Sequence, residues 1–257
     1  MAQKQSLILL ENVKLDNFEY TKNNICERLG KLIYDKNPSE AKEYLSVAIA
    51  AAQKNHEINK IIELTGYLAK SSYLTQDYNA VVEVVDNVLK FFSKHDKTDR
   101  KSTIELQIAL IKTRKLEALL QLGSWQEVSS LVNTEITPVL EKHLNFFSKH
   151  KWISQSEIFY SWIEANIILA QSYAQQGSST AFELISEIDK VLQKERGTRI
   201  DMLRVKLAFA DAMASTSRGF FDESDTILQE IVKDYSYVID NPNLICDWNI
   251  INLINKI

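Results

Sequence analysis

Helix breakers are scarce in this chain, with 6 glycines and 3 prolines among 257 residues. An all-β protein of this length needs many tight turns, so that class is excluded. Cysteine is nearly absent. Cys26 and Cys246 lie near opposite ends and form no Cys-x-x-Cys pair, so there is no disulfide framework and the expected setting is reducing and intracellular, cytoplasmic or nuclear. Long apolar runs are missing too. Leu7-Ile8-Leu9-Leu10 stops at Glu11, too short for a signal-peptide core. Nothing approaches the roughly 20 residues that span a bilayer, so no membrane association is expected. A basic excess is also lacking: 30 Lys and Arg face 34 Asp and Glu, a net charge of −4, which disfavours nucleic acid as a partner.

Apolar residues make up 45% of the chain and charged residues 25%, enough to build a core and too apolar for disorder. The apolar positions recur at three- and four-residue spacing, as in Val81, Val84, Val85, Val88 and Leu89, or Ile163, Ile167, Ala170, Tyr173 and Ala174. That period marks amphipathic helices, and no alternating stretch marks a strand. The pattern predicts ten or eleven helices, over 5–35, 38–54, 57–75, 78–94, 100–122, 125–147, 152–176, 179–194, 198–217, 221–237 and 242–256. Asn37 is placed to cap the second helix, with Pro38 at its first position. Pro138 interrupts the sixth and predicts a kink after Ile136, with Thr137 pushed out of helical dihedrals. The chain is expected to be one domain over 1–257, with a sub-boundary near 148–152. It ends inside an apolar pattern at Ile254-Asn255-Lys256-Ile257, as the N-terminal piece of a longer protein would.

Helix, short polar turn, helix recurs along the chain. The turns are Thr75-Gln76-Asp77-Tyr78, Leu122-Gly123-Ser124-Trp125, Gln176-Gly177-Ser178-Ser179 and Arg218-Gly219-Phe220-Phe221. The segment Leu89-Lys90-Phe91-Phe92-Ser93-Lys94-His95 also returns as Leu144-Asn145-Phe146-Phe147-Ser148-Lys149-His150. That echo is either a coincidence of similar helix ends or one repeat position seen twice.

Around the turns the chain resembles tetratricopeptide repeats. Leu169-Ala170-Gln171-Ser172-Tyr173, Gly177 and Ala181-Phe182 form the best copy, and Leu122-Gly123-Ser124-Trp125 with Val128 another. Counted from the Asn37-Pro38 break, the turns are spaced by roughly 40, 47, 54 and 42 residues, against about 34 in that family. The chain is thereby similar to the divergent arrays of large eukaryotic assemblies, such as proteasome-lid and signalosome subunits, cohesin-loading factors and separase. The resemblance implies antiparallel helix pairs stacked as a TPR-like α-solenoid. It also implies a non-catalytic scaffold or adaptor in a multisubunit complex, whose first helices line a concave face for an extended or helical segment of a protein partner. A regulatory subunit wrapped around one obligate partner, in chromosome segregation or a lid-like assembly, is the alternative. An RNA-binding repeat is the third reading, against which the irregular spacing and negative charge both speak.

No residue set points to catalysis. His56, His95, His143 and His150 share no metal-ligand spacing, and there is no Gly-rich phosphate loop or Gly-x-Ser-x-Gly elbow. No cofactor, metal or small-molecule substrate is expected, and the acidic residues read as solvated helix faces. Polar members of the first helices, Lys70, Arg114, Asn166, Gln171 and Arg204, are the candidate partner-binding residues. Aromatics concentrate between Phe146 and Trp162. Most of these read as core, but Phe159, Tyr160 and Trp162 cannot share one helix face, which leaves at least one to anchor a partner.

Overall fold

A computed structural model describes residues 18–95, 101–148, 157–195, 206, 224–230 and 233. Among these every regular element is helical, with nine α-helices where ten or eleven were expected. They are α1 Phe18–Ile33, α2 Pro38–Lys54, α3 Ile58–Leu74, α4 Tyr78–His95, α5 Lys101–Gln121, α6 Trp125–Leu131, α7 Thr137–Ser148, α8 Glu157–Gln175 and α9 Thr180–Glu195. Residues 224–230 are helical as well, within the stretch expected over 221–237. The helix expected over 242–256, the one expected over 198–217 apart from Lys206, which is helical, the part of the first before residue 18, and the turn at Arg218 to Phe221 lie outside the described residues.

The chain divides into two compact units, Met1–Leu122 and Gly123–Ile257, at a helix–turn–helix junction, and residues 149–152 of the expected sub-boundary lie outside the described residues. In the first unit α1 packs on α2, α2 on α3, α3 on α4 and α4 on α5. The alternate helices α1 and α3, and α3 and α5, also touch. In the second unit α8 packs against α6, α7 and α9.

Three of the turns are the same hydrogen-bonded object. At His56, Gln76 and Gly177 the chain turns left-handed, with φ of 54°, 57° and 72°. The N–H of each bonds the carbonyl three residues back, on Gln53, Tyr73 and Ala174. The next N–H reaches five residues back, to Ala52, Ser72 and Tyr173. This is the Schellman closure of a helix end. Gly123 shares the left-handed φ, at 73°. The break between 54 and 57 was expected from the sequence, and at His56 it takes the same form as the turn at Gln76, again without a glycine. Asn37 caps α2 as expected, its Oδ1 accepting the Glu40 N–H at 3.4 Å ahead of Pro38.

The second helices share one buried register. Ala41, Leu45, Ala48 and Ala52 of α2 are buried, as are Val81, Val85, Val88 and Phe92 of α4 and Ala181, Ile185, Ile188 and Leu192 of α9. Each set steps by four, three and four residues, the stripe of a helix packed on one side. In the second unit the equivalent set is Val128, Val132, Ile136 and Leu140, stepping by four throughout. The extra residue is taken up by a π turn over Val132–Ile136, where the Thr137 N–H bonds the Val132 carbonyl five residues back.

This corrects the expectation at Pro138. Thr137 keeps helical dihedrals, φ −55° and ψ −46°, and the helix runs on into α7. The wide turn relieves the clash between a proline ring and the carbonyl four residues earlier, so the helix need not break. The register also corrects the echo. Phe91-Phe92 is matched by Val139-Leu140, so Phe146-Phe147 stands seven residues beyond the equivalent position.

Candidate functional site

The first helices of the first unit lie side by side and are tied across their contacts by polar and aromatic side chains. Between α1 and α3, Lys31 bridges Glu27 and Glu63, each at 2.8 Å. Lys60 bridges Glu27 at 3.3 Å and Glu57 at 2.8 Å. The Tyr34 and Tyr67 rings meet edge to face at 5.0 Å, and the Lys70 Nζ sits 5.5 Å from the Tyr34 ring centre. Between α3 and α5, Gln107 Nε2 donates to Asn59 Oδ1 at 3.1 Å and the Tyr73 hydroxyl to Glu117 Oε1 at 2.9 Å.

These contacts fix protonation states. Burial acts to raise the Glu27 carboxyl, but the Lys31 and Lys60 ammoniums outweigh it and hold it below its ordinary value. Burial acts to lower Lys31, and its bonds to Glu27 and Glu63 outweigh that and hold it high. The Lys60 ammonium is raised chiefly by its bond to Glu57. Burial, with the charge and bond of Glu117, pushes the Tyr73 hydroxyl well above the usual phenol range. All four groups therefore hold one state at neutral pH, and the layer of first helices presents fixed charge.

Beside that layer is a groove of about 510 Å³. One wall is α1, through Tyr20, Asn23, Asn24 and Glu27, at the i, i+3, i+4, i+7 spacing of a single helix face. The other is the C-terminal half of α2, through Val47, Ala48, Ala51 and Ala52. Asn55 of the following turn and Glu57 and Lys60 at the start of α3 close one end. Tyr20 is 67% exposed and Val47 39% exposed, so apolar surface continues out of the groove.

The residues singled out from sequence fall in separate places. Lys70 is half-buried against Tyr34, and Arg114 is exposed on α5. Tyr160, Trp162 and Gln171 are half-buried on α8, where the Trp162 indole donates to Glu141 Oε1 on α7 at 3.2 Å. Phe159 and Asn166 require correction as surface residues, being 2% and 4% exposed. Helix α8 is enclosed by α6, α7 and α9, and residues 165–170 are all buried. Phe159 joins Ile163, Ala170 and Leu192 in that core, while the Asn166 amide donates to the Trp162 carbonyl at 2.8 Å. Arg204 lies outside the described residues.

The α1–α2 groove was missed because its signal is an absence. Ala51-Ala52 stands where α4 has Phe91-Phe92, which only aligning the second helices at 40 residues reveals. Among the described residues no cluster of His, Cys, Asp and Glu is arranged to hold a metal ion, and no helix is long and apolar enough to cross a membrane. No protein-family model, curated protein or solved structure matches the chain.

Proposed function

We propose that this chain is a non-catalytic, tetratricopeptide-like α-solenoid that serves as a scaffold or adaptor in a multisubunit intracellular complex, cytoplasmic or nuclear. The observation that carries the reading is the layer of first helices in the first unit. Helix α3 touches both α1 and α5 while each also packs on an intervening second helix. Stacked helix pairs of this kind expose one side of successive first helices as an extended surface, the geometry that receives an extended or helical segment. The recurring Schellman turn and the shared buried register support the repeat reading. On the first helices, Glu63 and Arg114 are exposed and Lys70 is half-buried, which gives the surface charged side chains of both signs.

Reversing charge there tests the proposal. Affinity purification of the wild-type chain and of Lys70→Glu/Arg114→Glu, each followed by identification of co-purifying proteins, should show loss of at least one specific partner. Retention of every partner by the variant would overturn the reading. A second reading, a subunit wrapped around one obligate partner, draws on Tyr20 and Leu32, which are 67% and 61% exposed on α1. It requires the isolated chain to aggregate, whereas a stable monomer on size-exclusion chromatography favours the adaptor.

A further inference from the structure

The first helices bury a leucine at one place. Leu29, Leu68 and Leu169 stand eight residues before the turn residues Asn37, Gln76 and Gly177, and all three are buried. Lys115, eight residues before Gly123, is the exception, and it is buried too, at 7% exposure. Its partner is an exception as well. The Lys115 ammonium donates to Asp86 Oδ1 on α4 at 2.8 Å. Asp86 follows the buried Val85, whereas Ser46, Asn133 and Ser186 follow the buried Leu45, Val132 and Ile185 of the other second helices. At these places the α2–α3 contact has Ser46 and Leu68, and α8 with the helix it packs on has Leu169 and Asn133. A cation and an anion replace neutral residues together, where α5 meets α4.

We infer that Lys115 and Asp86 set the register of α5 along α4, and through it the place of α5 in the layer of first helices. The rest of the contact is apolar and repetitive. Val81, Val85, Val88 and Phe92 step along α4, and a leucine at position 115 would complete the run of Ile108, Ile111 and Leu119 along α5. Ridges of this kind fit again after a slip of one turn, about 5.4 Å. Between α2 and α3 the closed turn at His56 prevents a slip. Between α4 and α5 residues 96–100 intervene, and five residues reach far enough to allow one. The helices run antiparallel, with Ala118 packed with Val81 and Ile111 with Phe92. A slip one way sets Lys115 beside Val82 and Asp86 beside Ile111, and the other way sets them beside Lys90 and Leu119. Either parts a desolvated charge from its counter-charge, which outweighs the apolar contact regained. In the observed register Gln107 bonds Asn59 at 3.1 Å, Glu117 accepts from Tyr73 at 2.9 Å, and Arg114 is exposed. Lys115 and Asp86 are thus positioning residues for the surface that carries Arg114. Register selection needs no partner protein, so its failure leaves the scaffold reading standing.

Cross-linking in the full chain, with Cys26 and Cys246 changed to alanine, reads the register. Asn59→Cys/Gln107→Cys is bridged by a short bis-methanethiosulfonate in the observed register, and Asn59→Cys/Thr103→Cys after a slip of one turn. With Lys115 and Asp86 in place, the first pair should cross-link at least about tenfold faster than the second. Lys115→Leu/Asp86→Ser gives the contact the residues of the α2–α3 contact. It should bring the two rates within about threefold of each other, with the thermal midpoint unchanged or raised. Lys115→Glu/Asp86→Lys reverses the sign of both charges and should recover the preference, which a packing role alone would not do. Should the leucine and serine variant unfold, Asp86→Asn, read in the same way, should reduce the preference. Equal rates with Lys115 and Asp86 in place, an unchanged ratio in a folded neutral variant, or no recovery by the reversed pair would each overturn the inference.

Discussion

Replacing glycine by alanine at three positions should give stability changes of different sign, because three different constraints act on the same added methyl group. At Gly66, inside α3, a Cβ would meet nothing within 4 Å. Alanine there gains the full helix-propensity difference of about 0.8–1 kcal/mol and loses nothing. At Gly30 the new Cβ would stand 2.6 Å from Leu45 Cγ and 2.8 Å from Leu45 Cδ2, with the Leu45 backbone nitrogen at 3.3 Å. Leu45 is fully buried, so its side chain has no free space to move into and α1 must lift from α2. Overpacking of this kind costs about 1–3 kcal/mol, which the propensity gain near the end of α1 only partly offsets, leaving a net loss of about 1–2 kcal/mol. At Gly123 there is open space, but φ is +73°. A left-handed alanine costs about 1–2 kcal/mol, less about 0.4–1 kcal/mol recovered from the stiffened unfolded chain, a net loss near 1 kcal/mol. Denaturant unfolding followed by circular dichroism at 222 nm should therefore rank Gly66→Ala above wild type and the other two below it. Trimming Leu45 to valine should recover part of the Gly30→Ala loss and none of the Gly123→Ala loss. If Gly30→Ala raised the midpoint, or Leu45→Val were additive with it, the close approach of α1 and α2 would be refuted.

The ion-pair chain between α1 and α3 sets a pH window. Glu27 is held below its ordinary 4.5, so its contribution is present above that value and is lost as pH falls through the lower folded value. Lys31 and Lys60 are held above their ordinary 10.5, so theirs is present below it and is lost as pH rises through the folded values. Urea midpoints should be level across the interval between, and Glu27→Gln should flatten the acid limb relative to wild type; an unchanged acid limb would count against the network. Ser72 Oγ is buried and has no hydrogen-bond partner among the described residues, while Ala52 holds the equivalent place before the preceding turn. Ser72→Ala should accordingly raise stability by about 1–2 kcal/mol, and a loss in thermal denaturation would show that the hydroxyl does have a partner. Deleting Thr134, an exposed residue of the π turn, should cost about 3 kcal/mol by forcing Pro138 into an ordinary helix, and Pro138→Ala in the same chain should restore most of it. Equal unfolding midpoints for the single and double changes would sink that account.

The helices were legible in the sequence because their cause is local. The three- and four-residue spacing of Val81, Val85 and Val88, the Asn37 cap and the glycine turns set α2, α4 and α9 within a residue or two of where they lie. Pro138 misled for an equally local reason. A rule about regular helices was applied where one inserted residue changes the geometry, and the clue was the burial register. Without the insertion Glu135 and Val139 would occupy the inward positions that Ile136 and Leu140 hold, both fully buried. The π turn answers two demands, keeping Ile136 and Leu140 in the core and accommodating the proline ring.

The candidate site was hidden for a different reason. A search for binding residues looks for what stands out, and Phe159, Tyr160 and Trp162 stand out in any reading. Bulky residues stand out because cores need them, so an aromatic on a helix enclosed from several sides is spent on packing, as Phe159 is. In a repeat protein the informative residue is the one smaller than its counterparts. Alanine at 51 and 52 is unremarkable alone, and its small size shows only against Phe91-Phe92, Val139-Leu140 and Val191-Leu192. Ala51→Phe therefore tests how open the groove is: a folded variant whose denaturation midpoint is unchanged or raised has room for the ring, and a lowered midpoint shows that α1 and α2 already close on that position.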